Sequence, residues 1–375
     1  MSSGLRARAG VAAVLALVVF AVAASVAQAL PARFWGAVPQ SPLSLEQFER
    51  IHRGGVDSIR IPISWGVVQQ NPGAAFNWSA TDHEIERASR AGVEVLPFLV
   101  GVPAWAERLL SVGGSGGTVQ VPAHLPVQGS ARAGWIAFVE GAVARYGPAG
   151  SYWSENPGVP VRPIRVWQIW NEPNFKFFVH KPSPKEYGQL VKASSTAIKG
   201  LDPGASVILA GLFAWPKGGN TKGSSNHNWF ADDFLEGIYR SIPGIAAKFD
   251  GVALHPYSTR YQLLTPQIEE VRAVLAKRHD AGTGLWITEL GWSSKPPAGN
   301  NSFAKGPIGQ ANQLKGAFSL LERMQRKWKL KRIYWFSIDD FGAACNFCDG
   351  SGLFGPGFVP KKSWYAYVKF AGGTP

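Results

Sequence analysis

Two glutamates stand at the ends of apolar, strand-like runs in this chain. Glu172 closes the run VWQIWNE and Glu289 closes the run LWITE. Two carboxyl groups that face each other can supply a proton donor and a nucleophile or base on the two sides of a glycosidic bond. The pair therefore predicts cleavage of a glycoside, with Glu172 and Glu289 as the catalytic residues.

The elements that must position these acids alternate between apolar strand-like runs and helical patterns. The eight predicted strands begin near Phe34, Val56, Val93, Ile164, Val207, Phe249, Leu285 and Ile333. Eight such units in one domain, residues 30–375, predict an α/β fold of the (β/α)8 barrel type. Glu172 would then end strand four and Glu289 strand seven, at one rim. A doubly wound sheet is the alternative fold, but it normally carries a glycine-rich phosphate turn after an early strand, and the sequence has none there.

Two helices have clear start signals. Ser44 and Gln47 have the spacing of a capping box, in which two side chains satisfy each other's free backbone N–H groups. Ser183 and Glu186 have the same spacing, and Pro184 between them is suited to the first helical position. Both patterns predict a helix that begins immediately after the serine.

Long stretches rich in Gly, Pro and Ser interrupt this alternation, and most of them follow a predicted strand. That is the side on which (β/α)8 barrels build their active sites. These stretches are Gly101 to Ser130, Pro216 to Asn228 and Ser293 to Pro307, whereas Gly147 to Pro163 follows a helix.

The first 29 residues have the pattern of a signal peptide. Arg6 and Arg8 precede an uncharged run from Ala9 to Leu30, and Ala27-Gln28-Ala29 fits a signal-peptidase site. An uncleaved membrane anchor is the alternative, because the run is long enough to span a bilayer. Either reading predicts a secreted or extracytoplasmic protein, with membrane contact only through this segment if it is retained.

The composition is basic and rich in aromatic residues. The formal net charge is +13, only 17% of residues are charged, and there are 15 Trp. The basic residues are spread rather than gathered in a stripe, so nucleic acid is not a predicted partner. Affinity for an anionic polymer is a minor alternative. So many tryptophans indicate either a large core or stacking platforms for sugar rings.

The two cysteines, Cys345 and Cys348, cannot form a four-thiolate zinc site by themselves. In an exported chain they favour a local disulfide over a redox or free-thiol role. The seven histidines show no metal-ligand spacing. We therefore predict neither a metal nor a cofactor.

Several motifs resemble those of clan A glycoside hydrolases, which are retaining (β/α)8 enzymes with catalytic glutamates on strands four and seven. The segment IWNEPN, residues 169–174, resembles the Asn-Glu-Pro signature of that clan, and ITELGW, residues 287–292, resembles its nucleophile strand. Arg60 matches the strand-two arginine, and His255-Pro256-Tyr257 matches the strand-six His-x-Tyr. The resemblance covers essentially the whole chain after the signal segment and extends to both family 5 and family 39.

The resemblance implies that Glu172 is the general acid/base and Glu289 the nucleophile. Asn171, next to the acid, could donate to a sugar 2-hydroxyl, an interaction that strengthens in the transition state. Tyr257 and Arg60 could stabilise the ionised form of Glu289, and we expect them to keep its pKa low.

Two further substrate contacts are predicted. His255 alternates with Tyr257 on one strand face, although a lone histidine at a strand end is often structural. Trp335, on strand eight, is the predicted floor against which the sugar ring stacks. Plain core packing of Trp335 is the alternative, with Tyr334 as the inward residue.

Together these features predict a retaining O-glycoside hydrolase that acts on an oligo- or polysaccharide by double displacement. Its two carboxyl groups should lie about 5–5.5 Å apart, since a gap near roughly 8 Å would favour inversion. A barrel that binds carbohydrate without cleaving it is an alternative, and so is a transglycosylase that uses the same residues.

Overall fold

Eight parallel strands close into a barrel in the computed structural model. Its strands are β1 (Trp35–Val38), β2 (Ser58–Ser64), β3 (Glu94–Val100), β4 (Val166–Ile169), β5 (Ser206–Phe213), β6 (Gly251–His255), β7 (Gly284–Leu290) and β8 (Leu330–Phe336). Each strand pairs with its neighbours in chain order, and β8 closes the barrel on β1. The structure describes residues 30–114, 117–214, 228–297, 301–342 and 348–375. The predicted (β/α)8 fold is confirmed.

Helices connect the strands and cover the barrel from outside. In chain order they are α1 (Leu45–Arg53), α2 (Trp65–Val68), α3 (Ser79–Ala91), α4 (Gly129–Tyr146), α5 (Ser151–Glu155), α6 (Pro184–Leu201), α7 (Ala231–Ser241), α8 (Leu264–Lys277), α9 (Gly306–Trp328) and α10 (Lys362–Ala371). Two antiparallel strand pairs lie outside the barrel, Leu109–Gly114 with Gly117–Pro122 and Phe354–Gly355 with Val359–Pro360. The first pair occupies a stretch that the sequence had indicated to be a loop.

The predicted start signals of α1 and α6 have different outcomes. At α1 the Ser44 side chain accepts from the Gln47 N–H and the Gln47 side chain accepts from the Ser44 N–H, so the capping box is confirmed. At α6 Ser183 caps the Glu186 N–H, with proline at the first position as predicted. The Glu186 carboxylate, however, accepts from the Leu125 N–H at 3.2 Å, so a reciprocal box at α6 is wrong.

The tryptophans mainly fill the core rather than the surface. Among the described tryptophans, eight are less than 2% exposed: Trp65, Trp135, Trp167, Trp170, Trp292, Trp328, Trp335 and Trp364. No helix within the described ranges is long and apolar enough to cross a bilayer. The predicted signal segment, residues 1–29, and Cys345 of the predicted disulfide both lie outside the described residues.

Close packing inside the barrel leads to a prediction about Gly36 of β1. A Cβ on Gly36 would lie 2.6 Å from the Tyr334 ring and 2.8 Å from the Ser58 carbonyl oxygen. Gly36→Ala should therefore destabilise the fold by about 1–3 kcal/mol, as overpacking does. The measurement is urea denaturation of both proteins.

Gly200→Ala in α6 is the matched control. A Cβ there meets nothing within 4 Å, so alanine should stabilise the helix by roughly 0.5–1 kcal/mol. Equal effects of the two substitutions would contradict the packing described for β1.

Candidate active site

Glu172 lies just beyond β4, on a turn of unusual backbone conformation. The strand ends at Ile169, and Trp170 and Glu172 then have φ values of 72° and 41°. Residues other than glycine rarely adopt such values, which cost about 1–3 kcal/mol each. Neighbouring strands hold the turn, because the Trp170 N–H donates to Leu99 and the Glu172 N–H donates to Gly211. The acid predicted to end the strand is therefore carried by this turn.

Glu289 lies within β7, and its two carboxylate oxygens have different donors. Nη1 of Arg60 donates to Oε1 at 2.7 Å, and the Tyr257 hydroxyl donates to Oε2 at 2.8 Å. Both partners were predicted from the sequence. Two donors, one of them charged, favour the ionised form of this carboxyl group.

Arg60 is fully buried and binds three different side chains. Besides Glu289, it donates from Nε to Gln168 and from Nη2 to Asn171, both at 2.6 Å. Its guanidinium carbon lies 4.0 Å from the centre of the Phe98 ring. The planar fork of an arginine suits such divergent acceptors, so Arg60 fixes β7 relative to the turn that carries Glu172.

His255 lies between the acid and β7. Its Nδ1 is 2.6 Å from Oε1 of Glu172 and 3.6 Å from Oε2 of Glu289, and its Nε2 is 2.9 Å from Oγ1 of Thr288. Burial, assisted by the positive charge of Arg60, lowers the pKa of His255 well below its usual value, so the ring is neutral. A Cβ at Gly211 would lie 1.9 Å from Nε2, so the ring occupies space that only glycine leaves.

Gln168 and Thr288 complete a chain of hydrogen bonds between the two glutamates. The Gln168 amide accepts from Arg60 and donates to Thr288 Oγ1 at 3.4 Å and to the Leu209 carbonyl at 3.1 Å. Thr288 in turn contacts His255. Sequence reasoning missed both residues. The available signal was a polar side chain inside an otherwise apolar strand, since such groups need buried partners.

The two carboxyl groups have unequal proton affinities. Burial, and then the negative charge of Glu289, raise the pKa of Glu172 well above its usual value, while Arg60 opposes the shift. Burial also raises the pKa of Glu289, against the lowering effects of Arg60 and Tyr257. The predicted low pKa of Glu289 is thus wrong in net direction, because loss of water outweighs both donors. The pKa of Glu172 nevertheless lies above that of Glu289, because Glu172 lacks these donors. Glu172 therefore retains its proton to higher pH.

One ligand atom from each of Glu172, His255 and Glu289 lies within 4.8 Å of the others. Such a group has the spacing of a metal site. Arg60 already neutralises Glu289, however, and would repel a divalent cation at close range. We therefore interpret the cluster as a site for proton transfer.

The prediction that Trp335 of β8 forms the floor under the sugar ring is wrong. Its ring is fully buried, 6.3 Å from the ring of Phe318 in α9, and Nε1 donates to the Ser351 carbonyl. Side chains alternate along a strand, so Tyr334 and Phe336 point inward instead. Tyr334 reaches Ser58 within the barrel at 2.9 Å, and Phe336 lies edge-on to Tyr257 with ring centres 6.2 Å apart.

A parallel eight-stranded barrel with two buried carboxyl groups at one rim, of unequal proton affinity, is the arrangement found in the class of barrel glycosidases. The glycosyl hydrolase catalytic core family matches residues 162–355. The matched part is more than half of the chain, and the chain belongs to this family. The prediction that the chain is a glycoside hydrolase is thereby confirmed. A search of curated proteins found no match.

Solved structures of glycosidases share the fold at low sequence identity. A family 39 glycoside hydrolase from the gut symbiont Bacteroides cellulosilyticus has a TM-score of 0.65 and 18% identity, over 91% of this chain and 64% of its own. A glucosidase from Croceicoccus marinus has a TM-score of 0.62 and 16% identity, over 91% and 67%. A family 39 β-xylosidase from Caulobacter crescentus has a TM-score of 0.60 and 21% identity, over 91% and 72%. The chain thus spans about two thirds of the length of these proteins.

The position of Arg60 leads to a prediction about stability. Arg60→Met should leave the buried Glu289 without its cation and destabilise the fold by about 3–5 kcal/mol at neutral pH. The double variant Arg60→Met with Glu289→Gln should regain part of that loss, because the buried charge is gone. Urea denaturation of the wild-type protein, both single variants and the double variant measures the coupling. Strictly additive effects would contradict a direct pair.

Proposed function

We propose that this protein is a retaining O-glycoside hydrolase that acts by double displacement, with Glu289 as the nucleophile and Glu172 as the general acid/base. The observation that carries the proposal is the short separation of the two carboxyl groups, whose ligand atoms lie within 4.8 Å of each other and of one His255 nitrogen. Retaining glycosidases hold their carboxyl groups about 5–5.5 Å apart, while inverting enzymes need roughly 6.5–9.5 Å to admit a water.

In the first step a Glu289 oxygen attacks the anomeric carbon while the bond to the leaving oxygen breaks. Glu172 gives its proton to that oxygen, and the leaving group departs as an alcohol. In the second step Glu172, now ionised, takes a proton from a water that attacks the same carbon and releases Glu289. Arg60 and Tyr257 support the charge on Glu289 before attack and after release, since both donate to it.

The neighbouring side chains fit the predicted substrate contacts in part. Oδ1 of Asn171 accepts from Arg60, which orients Nδ2 as a donor to the sugar 2-hydroxyl. His255 acts through Glu172, with which it shares a hydrogen bond, so it positions the acid. Phe336 replaces Trp335 as the proposed floor under the sugar ring, because it is the inward residue beside Tyr257.

The substrate class remains our proposal. The oligo- or polysaccharide expected from the sequence stays a prediction, which the comparison of leaving groups below tests against glycosides of alkyl or aryl alcohols. The test substrates are glucosides and xylosides, because the similar structures include a glucosidase and a β-xylosidase. We also propose export through residues 1–29 and a disulfide between Cys345 and Cys348. Transglycosylation by the same residues is tested by adding sugar acceptors and analysing the products.

The proposed roles of the two glutamates predict different losses of kcat when each is replaced by glutamine. Glu289→Gln should lower kcat at least about 10³-fold on every substrate, since no intermediate can form. Glu172→Gln should lower it about 10²–10⁴-fold on alkyl glycosides, and much less on dinitrophenyl glycosides, which need little proton donation. Steady-state kinetics with β-D-xylopyranosides and β-D-glucopyranosides measures both effects.

Glu269→Gln is the matched control, because Glu269 pairs with Lys327 on the outer surface and should not affect kcat. Proton NMR of the first sugar released completes the test. A product of inverted configuration, or equal losses for Glu172→Gln on both leaving groups, would refute the proposed roles.

The pH dependence follows from the two carboxyl groups. Glu289 must be ionised and Glu172 protonated, so kcat/KM should fall at low pH with Glu289 and at high pH with Glu172. The Tyr257 hydroxyl lowers the pKa of Glu289. Tyr257→Phe should therefore move the acid limb to higher pH and leave the alkaline limb in place, as a pH profile of kcat/KM will measure.

Tyr239→Phe provides the control, because Tyr239 donates to Asp280 outside the site. Its profile should match that of the wild-type protein. An acid limb that stays in place, or moves to lower pH, in Tyr257→Phe would show that Glu289 does not govern it.

A further inference from the structure

We propose that the leaving-group side of this site is an apolar shelf that selects glycosides of alkyl or aryl alcohols. The shelf consists of Phe175, Phe177 and Phe213, and we name it the phenylalanine shelf. The inference rests on the proposed function, because Glu172 as the acid defines where the leaving group lies.

Phe213 lies above the acid and its histidine. Gly211 of β5 abuts the His255 ring, and the Gly211 carbonyl accepts from the Glu172 N–H. Residues two apart on a strand share a face, so Phe213 points the same way, one pleat nearer the mouth. Its ring centre is 5.9 Å from that of Tyr257, which donates to Glu289. The ring therefore borders the catalytic pair.

The other two rings extend this surface along the turn that carries the acid. Phe175 stacks on Phe213 with ring centres 4.9 Å apart and planes 10° apart, and Phe177 lies 5.0 Å from Phe175. The Phe175 N–H donates to the Glu172 carbonyl at 2.9 Å, which fixes the shelf relative to the proton donor. All three side chains are half-buried, so each keeps part of its surface exposed to solvent.

Two polar side chains of the described residues lie beside the shelf: the Lys176 ammonium is 5.6 Å from the centre of the Phe177 ring, and the Asn174 amide, at the base, is committed to the backbone. Nδ2 of Asn174 donates to the carbonyls of Phe213 and Trp229, and its Oδ1 accepts from the Phe213 N–H. A sugar in this position would set several hydroxyl groups against phenylalanine carbon, whereas a hydrocarbon would gain from leaving water. Phenylalanine, unlike tyrosine or tryptophan, also brings no polar edge to such a contact.

The reaction with such a substrate balances without a further reactant. The bond between the anomeric carbon and the alcohol oxygen breaks, and that oxygen takes the Glu172 proton. Water then supplies hydroxyl to the sugar and returns a proton to Glu172. The shelf holds only the departing hydrocarbon, so its effect should appear in the choice of leaving group.

The test compares methyl with n-hexyl β-D-xylopyranoside, and methyl with n-hexyl β-D-glucopyranoside, so that the sugar is constant within each pair. We expect kcat/KM for the hexyl glycoside to exceed that for the methyl glycoside at least about tenfold, as contact of several methylene groups with the rings requires. Xylobiose and cellobiose serve as the corresponding sugar leaving groups. Each disaccharide should have a lower kcat/KM than the hexyl glycoside of the same sugar.

Variants locate the effect. Phe175→Ala and Phe177→Ala lie in a turn outside the barrel strands, and each should lower the hexyl-to-methyl ratio at least threefold. Phe213→Leu should do the same with less change in volume if the alanine variants fail to fold. Phe303→Ala is the matched control, since Phe303 is also half-buried and its ring also contacts Tyr257, at 6.4 Å, but it follows β7. The control should keep the wild-type ratio.

The outcomes separate this inference from the proposed function. If none of the glycosides is cleaved, the proposed function fails, and calorimetric binding of the same methyl and hexyl glycosides still tests the shelf. The inference is overturned if hexyl glycosides react or bind no better than methyl glycosides. Undetectable binding of both kinds of glycoside counts as this outcome. Disaccharides preferred over hexyl glycosides, with the preference lost in Phe175→Ala, also overturn it and make the shelf a sugar platform.

Discussion

The buried guanidinium of Arg60 is the interaction on which the site depends. It binds Glu289 of β7, Gln168 of β4 and Asn171 of the turn beyond β4, so one side chain sets the distance between the two halves of the site. A buried charge is costly unless it is paired and fully hydrogen-bonded. The cation therefore requires its partners in place, and their geometry follows from that requirement. Glu172 needs no charged partner, because a carboxyl group that keeps its proton is easier to bury.

The two carboxyl groups differ because the barrel surrounds them with different neighbours. Glu289 has a charged donor and a hydroxyl donor, while Glu172 faces a neutral histidine and the negative charge of Glu289. Both lie in surroundings that raise a carboxyl pKa, and the donors decide which group loses its proton first. The proposed division into proton donor and nucleophile thus follows from the surroundings, since the two side chains are chemically the same.

Sequence patterns predicted the barrel, the two acids, and Arg60 and Tyr257 as donors, because each depends on periodicity or on a local motif. They did not predict contacts that arise only when strands are paired. Thr288 and Gln168 meet across the barrel. Three aromatic residues follow one another at the end of β8, so the sequence alone did not show which of them faces inward, and Trp335 was predicted there with Tyr334 as the alternative. The net pKa of Glu289 was missed for a related reason, since the extent of burial depends on the complete fold.

The turn at Trp170 and Glu172 has a consequence for how this site can change. Its left-handed residues are held by hydrogen bonds to the strands on either side. Glu172 therefore lies on a strained turn and not on a regular strand. Substitutions that relax this backbone would make the protein more stable and would place the Glu172 carboxyl group, the proposed proton donor, less accurately. Selection for heat resistance and selection for turnover should therefore pull this short segment in opposite directions.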